Sequence, residues 1–210
     1  MPDLVLEQHL RGQGFRLVAG IDEVGRGAWA GPVVAAAVIL PLELGAAALS
    51  AQLRGVDDSK RLSPAARQRL LPRILECARA VGVGGAGPGE VDRDGVAPAT
   101  RAAMIRAVAM LDPRPDHLLI DAVRLPQCPL PQTSLFRGDS RSLSIAAASI
   151  VAKVARDLMM AGLDERYPGY GFARHKGYGT AAHRHALGQL GAAEIHRMSY
   201  APLAQLHMGL

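Results

Sequence analysis

Apolar positions along this chain come first as short unbroken runs and later as longer periodic stretches. Leu17–Asp22 is a short run closing on an acid, and Pro32–Leu40 (PVVAAAVIL) is apolar throughout; both read as strands, the second of them buried. The segment between them, EVGRGAWAG, carries Gly25, Gly27 and Gly31 and must turn sharply, which predicts an antiparallel pair. Ser63 followed by Pro64 predicts a helix start, with Leu70, Leu71, Ile74, Leu75 and Ala78 as its apolar face. Pro72 inside that stretch is expected to kink the helix or push its start later. A second helix is expected over Ala99–Leu111, with Met104, Ile105, Val108 and Leu111 facing in. His117–Asp121 (HLLID) reads as a short buried strand, Ser142–Tyr167 as a long Ala-rich helix, and Thr180–Leu190 as another helix. Strands first and helices interleaved afterwards predict an α/β fold: a mixed sheet flanked by helices.

Composition narrows the class. A chain of 210 residues with 49% hydrophobic and only 4% aromatic residues builds its core from Ala, Val, Leu and Ile, which excludes a disordered chain. The formal net charge of +5 suits a polyanionic partner, nucleic acid above all, but serves plain solubility equally well. Of the 24 basic residues 21 are Arg and 3 are Lys, namely Lys60, Lys153 and Lys176. In so Arg-biased a chain, Lys marks places where a compact, flexible point charge is wanted. Cys77 and Cys128 are too few and too far apart for a disulfide framework or a zinc site. The N-terminal stretch has no apolar core or cleavage site, and the uncharged run Ala28–Leu42 holds Pro32 and Pro41 and falls short of the ~20 residues of a spanning helix. The expectation is a cytoplasmic protein with no membrane partner.

Four acids carry the candidate chemistry. Asp22 and Glu23 end the first strand before a Gly-rich turn, Asp121 ends a second strand, and Asp139 follows Gly138 in RGDSRS. Carboxylates at strand ends project into a cleft, where several together repel unless a cation neutralises them. Hard divalent ions such as Mg²⁺ and Mn²⁺ take oxygen ligands of this kind, and two of them about 4 Å apart activate water and stabilise a leaving oxygen. A lone Asp at a strand end is more often a turn residue; two adjacent acids at the end of a buried strand are costly without a purpose. No serine triad or zinc signature competes.

The string AGIDEVGRGAWAGPVVAAAVIL closely resembles the opening motif of bacterial ribonuclease HII, a type 2 ribonuclease H. The resemblance continues through DDSKRLSP (57–64), LLIDAVRLP (118–126), RGDSRSLSIAAASIVAKVARD (137–157) and YPGYGFARHKGYGTAAH (167–183), in the family's order. It implies a ribonuclease H-like fold and a single catalytic domain over 1–210, with about 165–210 as a helical substrate-binding extension, acting as a monomer. The activity it implies is hydrolysis of RNA in RNA–DNA hybrids and nicking 5′ to ribonucleotides embedded in duplex DNA, leaving 5′-phosphates, with two Mg²⁺ or Mn²⁺ ions. Carried over by position, Asp22, Glu23, Asp121 and Asp139 match the four catalytic, metal-holding acids, with Asp22 bridging the two ions. Gly25, Arg26 and Gly27 match the turn whose backbone approaches the ribose 2′-hydroxyl. Tyr178 matches the tyrosine that packs on the next deoxyribose. Ser59 and Lys60 match positions near the phosphates, and Lys153 and Lys176 are further phosphate contacts. Ala28-Trp29, Ala122, Arg137 and DRDGVAPAT (92–100) depart from the family pattern and bear on substrate fit rather than on the carboxylates. The related ribonuclease HIII has an extra N-terminal domain, for which the 21 residues before Asp22 leave little room.

Other signals are weaker. Gly82, Gly84 and Gly87 satisfy G-x-G-x-x-G, but Pro88-Gly89 stands where the helix of a dinucleotide site should begin, so the segment reads as a loop. His183, His185 and His196 fit no metal spacing and read as exposed helix residues; His175 reads as either a phosphate neighbour or a surface residue. Asp157 lies four residues after Lys153, as for an i,i+4 ion pair, and Trp29 reads as an anchor of the hairpin. A non-catalytic hybrid-binding module is the rival class, and four retained acids speak against it.

Overall fold

A computed structural model of the chain describes residues 1–207. Residues 208–210, the end of the expected 1–210 domain, lie outside the described residues. After α1 (Val5–Gly12) come β1 (Val18–Val24) and β2 (Val33–Ile39), antiparallel as the glycine-rich turn predicts, with Asp22 opposite Ala36. Then follow α2 (Ala46–Gln52), α3 (Pro64–Cys77) and β3 (Ala80–Ala86), which lies antiparallel on β2. Next are α4 (Pro88–Asp94), α5 (Val96–Ala109), β4 (His117–Asp121) and β5 (Gln132–Leu135). The chain closes with α6 (Leu143–Arg166), α7 (Phe172–His175), α8 (Ala181–Leu190) and α9 (Ala201–His207). The sheet order is β3-β2-β1-β4-β5, with β4 parallel to β1 and β5 parallel to β4.

Alternation along the strands divides the core between two faces. Ile21, Ala35, Ala37, Ile39 and Ile120 pack toward α5, whereas Val18, Ala36, Val38 and Leu119 pack toward α6. Each fully buried Ile or Leu contributes roughly 1.5–3 kcal/mol relative to exposure. Small residues on the strands let both helices press close. A Cβ on Gly20 would overlap the backbone of Ser144 in α6. A Cβ on Gly82 or Gly84 would overlap the Ala107 or Ala103 carbonyl oxygen in α5.

Residues 82–86 are therefore a strand, not the loop expected from their glycines; those glycines serve helix–sheet contact rather than a phosphate. Pro72 does not displace the start of α3: Ser63 Oγ accepts the Ala66 N–H at 3.2 Å, and the helix runs through to Cys77. Burial of Leu70 and Ile74 holds it in place, while Leu75, expected on the inner face, is exposed. Both cysteines are free, and no helix among the described residues is long and apolar enough to cross a membrane.

Glu7 decides where α6 begins. Its Oε1 accepts from Ser142 Oγ (2.6 Å), Ser144 N–H (3.0 Å) and Ser144 Oγ (2.7 Å), placing a buried carboxylate at the positive end of a 24-residue helix. Ser142 N–H in turn donates to Gly138 O at 2.8 Å, which fixes the turn just before the helix. A third apolar cluster gathers Ala30, Met160, Tyr170, Phe172, Leu187 and Leu203, joining the β1–β2 turn to the C-terminal helices.

Candidate active site

Asp22 and Asp121 stand on neighbouring parallel strands one residue beyond the Ile21–Ile120 pair, so both project toward α6. Asp22 is buried to 4% exposure, and burial, then Glu23, then Asp121 hold its carboxyl well above the usual range. Burial likewise raises Glu23, against the opposing charge of Arg26, whose Nη1 lies 3.1 Å from Glu23 Oε1. Gly138 N–H donates to Asp121 Oδ1 at 2.7 Å, and the next residue, Asp139, is 4% exposed, its carboxyl raised by burial and by Asp58 and Asp121.

Lys60 faces this whole group. Its Nζ is 3.8 Å from Asp139 Oδ2. Burial alone would lower its pKa, but Asp22, Asp139, Asp58 and Asp121 together raise it. The short helical turn Ser59–Arg61 that carries it is pinned from two sides: Ser59 N–H donates to Ser149 Oγ in α6 (3.1 Å), and Arg67 in α3 donates to Ser59 O (2.7 Å).

Two pockets meet at Lys60. One, of about 570 Å³, is lined by Asp58, Asp121, Asp139, Phe136 and Arg137 among others. Its neighbour, of about 380 Å³, is lined by Glu23, Val24, Gly25, Arg26, Gly27, Ser59, Lys60, Lys153 and Tyr178. Seven of the eight residues that the sequence marks for substrate thus line one cavity. The eighth, Lys176, does not: its Nζ donates to the Asp157 carbonyl at 3.2 Å, and it lines a separate pocket with Arg67 and Asp157. Lys153 makes its expected ion pair with Asp157 at 2.7 Å. The histidines also differ from expectation. His175, His183 and His196 are buried, and only His185 of the four is exposed.

A hard cation suits the donors present. All are carboxylate oxygens, and Glu23 Oε2 is buried without a hydrogen-bond partner. Among the described residues no three His, Cys, Asp or Glu side chains form a ready-made metal cage, so the acids border the site rather than closing on one point.

The family model for Ribonuclease HII matches residues 19–203. The chain belongs to the ribonuclease HII family. It is 52% identical to Ribonuclease HII of Chloroflexus aurantiacus over 100% of this chain and 98% of that one. It is 53% identical to that of Geobacillus thermodenitrificans over 95% of this chain and 74% of the relative. Ribonuclease H2 from Pyrococcus horikoshii shares the fold with a TM-score of 0.76 at 24% identity, covering 92% of this chain and 98% of the other. The RNase HII of the PCNA:RNase HII complex from Archaeoglobus fulgidus superposes with a TM-score of 0.72 at 26% identity, covering 88% and 95%. Bst-RNase HIII, solved in complex with Mn²⁺, shares the fold with a TM-score of 0.66 at 21% identity, covering 91% and 69%. Membership makes this chain a ribonuclease H-type nuclease with a ribonuclease H-like fold.

Residues the sequence reading passed over also build this ribonuclease HII-family site. Asp58 lines the acidic pocket; its position beside Asp57 was the available signal. Arg156, fully buried, donates to Pro32 O (2.8 Å), Ala30 O (3.1 Å) and Lys176 O (2.9 Å), with its guanidinium 5.5 Å from the Tyr178 ring centroid. Burial lowers its pKa to about 10, so it stays charged at neutral pH beneath the pocket. Arg197 donates to Gly31 O and Arg26 O from the other side. Nothing in the local sequence marks either as buried.

Three non-glycine residues adopt left-handed backbone, Ala122 (φ +52°), Arg137 (φ +53°) and Lys176 (φ +54°). They stand one residue after Asp121, two before Asp139 and two before Tyr178. Such conformations persist where surrounding contacts over-determine them, and they gather at functional sites.

Proposed function

We propose that the chain is a divalent-metal-dependent endonuclease that hydrolyses the RNA strand of RNA–DNA hybrids and nicks duplex DNA 5′ to an embedded ribonucleotide, leaving a 5′-phosphate. The observation that carries this reading is the adjacency of the two pockets at Lys60, one bordered by carboxylates and the other by the Gly25–Gly27 turn and Tyr178. Asp22, Glu23, Asp121 and Asp139 would hold Mg²⁺ or Mn²⁺. The chemistry a pair of such ions supplies is activation of a water and stabilisation of the leaving oxygen.

The chain's own groups do the rest. Lys60 Nζ offers a positive charge to a phosphate at the boundary between the pockets, and Lys153 and Ser59 line the path away from it. A Cβ on Gly27 would meet no protein atom, so the space it would occupy belongs to the pocket, where a 2′-hydroxyl can approach the backbone. Tyr178, 36% exposed, presents its ring to the same pocket, suited to the face of a sugar lacking that hydroxyl. Sensing one sugar with the hydroxyl and the next without it gives junction specificity. On this reading the chain acts as a monomer.

A DNA duplex carrying a single ribonucleotide tests the proposal. A nick 5′ to the ribonucleotide with Mn²⁺ or Mg²⁺, and none in EDTA, is expected; absence of a metal-dependent nick would sink the reading.

A further inference from the structure

We propose that His183 is a positioning residue for Tyr178, holding the backbone of residues 176–178 through a chain of neutral imidazoles that His196 and His175 complete. The inference rests on the reading of Tyr178 as a substrate-facing residue. It starts from the backbone of that segment, which has no regular structure to hold it: Lys176 (φ +54°) and Gly177 (φ +80°) are both left-handed.

Every polar backbone atom from Lys176 N to Tyr178 O has a partner. Lys176 N–H donates to Phe172 O, and Arg156 donates to Lys176 O. Gly177 N–H donates to His175 Nδ1 at 3.2 Å, and Gly177 O accepts from Trp29 N–H at 2.8 Å. Tyr178 N–H donates to His175 O at 3.0 Å. Tyr178 O accepts the Thr180 N–H at 2.8 Å and, on its other lone pair, lies 3.0 Å from His183 Nδ1.

These partners dictate the tautomers. A carbonyl only accepts, so His183 carries its hydrogen on Nδ1 and leaves Nε2 as an acceptor. That acceptor lies 3.0 Å from His196 Nε2, which must then carry the hydrogen of its own ring. His196 Nδ1 lies 2.9 Å from Ala193 N and 3.1 Å from Ala193 O, and with the ring hydrogen on Nε2 it accepts from the Ala193 N–H. His175 follows the same logic: Nε2–H donates to Tyr170 O (2.7 Å) while Nδ1 accepts from Gly177. The His175 and His183 rings stack at 4.4 Å, with Phe172 edge-on to both.

A proton added to His183 Nε2 would face the His196 Nε2–H, and one added to His175 Nδ1 would face the Gly177 N–H, setting two donors against each other. The rings are 8%, 0% and 2% exposed in chain order, leaving almost no room for water to relieve that conflict. Burial pushes His183 down to about 4 and lowers His196, in keeping with rings that stay neutral. An apolar side chain of similar size would fill this space but make none of these hydrogen bonds. What imidazole adds is a directed set of donors and acceptors ending on the Tyr178 carbonyl, behind the ring that faces the pocket.

Two measurements test the relay. Long-range ¹⁵N–¹H NMR at pH 8 should show the Nδ1–H tautomer for His183 and the Nε2–H tautomer for His175 and His196, with the His183 signal unchanged down to about pH 5. A His183 ring that is Nε2–H, or that titrates near the ordinary histidine value, overturns the proposal. The second measurement compares His183→Asn, whose side-chain amide places an N–H where Nδ1–H stood, with His183→Gln, whose amide reaches the Nε2 position instead. With both variants folded by their melting curves, KM for a duplex with one ribonucleotide should rise about tenfold in His183→Gln and stay within about twofold in His183→Asn, kcat changing little in either. Equal KM values for the two variants overturn the relay. Tyr178→Ala is the control: if it leaves KM unchanged, the reading of the pocket falls and the relay's role with it. A raised KM in Tyr178→Ala beside an unaffected His183→Gln overturns the relay alone.

Discussion

The Asp121 carboxylate accepts a 2.7 Å hydrogen bond from the Gly138 backbone, tying the end of a central strand to the turn that presents Asp139. A Cβ on Gly138 would lie 2.7 Å from Ile145 Cδ1 and 3.5 Å from Asp121 Cα, so the approach of strand and turn depends on glycine there. Two acids eighteen positions apart in sequence thus reach one pocket through a single backbone contact.

If these acids share divalent ions, millimolar Mg²⁺ raises the melting temperature, because an ion bound only by the folded state stabilises it by mass action. The expected rise is several degrees, at roughly 2–4 °C for each kcal/mol in a chain of this length. Asp121→Asn keeps an acceptor for Gly138 but removes a charge, and should blunt the rise. Scanning fluorimetry with and without Mg²⁺ checks this; an undiminished rise in the variant would place the ion elsewhere.

Asp22 links the site to pH. Its carboxyl is raised, first by burial and then by Glu23 and Asp121, so the metal-free folded state retains a proton that the unfolded chain has already released. Between the ordinary carboxylate range and that raised value the folded state binds more protons, and stability falls as pH rises. Asp22→Asn has nothing to ionise. In EDTA at pH 7.5 it should melt a few degrees above the wild type, with the gain fading toward about pH 4. It should also abolish nicking while hybrid binding largely survives. A variant that melts lower at pH 7.5, or that loses binding together with cutting, would make Asp22 a structural residue.

Ala122 bears directly on backbone strain. It is exposed, left-handed at φ +52°, and adjacent to Asp121. A left-handed L-residue costs roughly 1–2 kcal/mol, part of which glycine gives back through the greater freedom of the unfolded chain. Ala122→Gly should therefore stabilise the protein by about 0.5–1 kcal/mol, seen as a modest rise in melting temperature. A fall would show that the methyl group or the stiffness of this position matters more than its strain.

Much of the architecture was legible from periodicity. The antiparallel hairpin, the buried strand ending at Asp121, the Ser63 cap and the long Ala-rich helix all follow from local pattern. What escaped depends on partners far along the chain. Gly82 and Gly84 resemble turn residues until α5 is laid across them. His183 and His196 look like ordinary surface histidines until thirteen residues of separation close to 3.0 Å between ring nitrogens. Lys176 shares a motif with Tyr178, yet its left-handed backbone sends the ammonium to Asp157 instead of the pocket. Glu7 gives no local hint that it caps a helix more than 130 residues away.

The scarcity of lysine has a practical consequence. Apart from the α-amino group, the chain offers three primary amines to an acylating reagent: Lys60 and Lys153 line the groove, and Lys176 lines the separate pocket beside Asp157. Lys60 is well exposed, whereas Lys153 is shielded by its ion pair. Peptide mapping after brief acylation thus gives a footprint in which modification of Lys60 reports on that groove, with little background from the arginine-coated remainder of the surface.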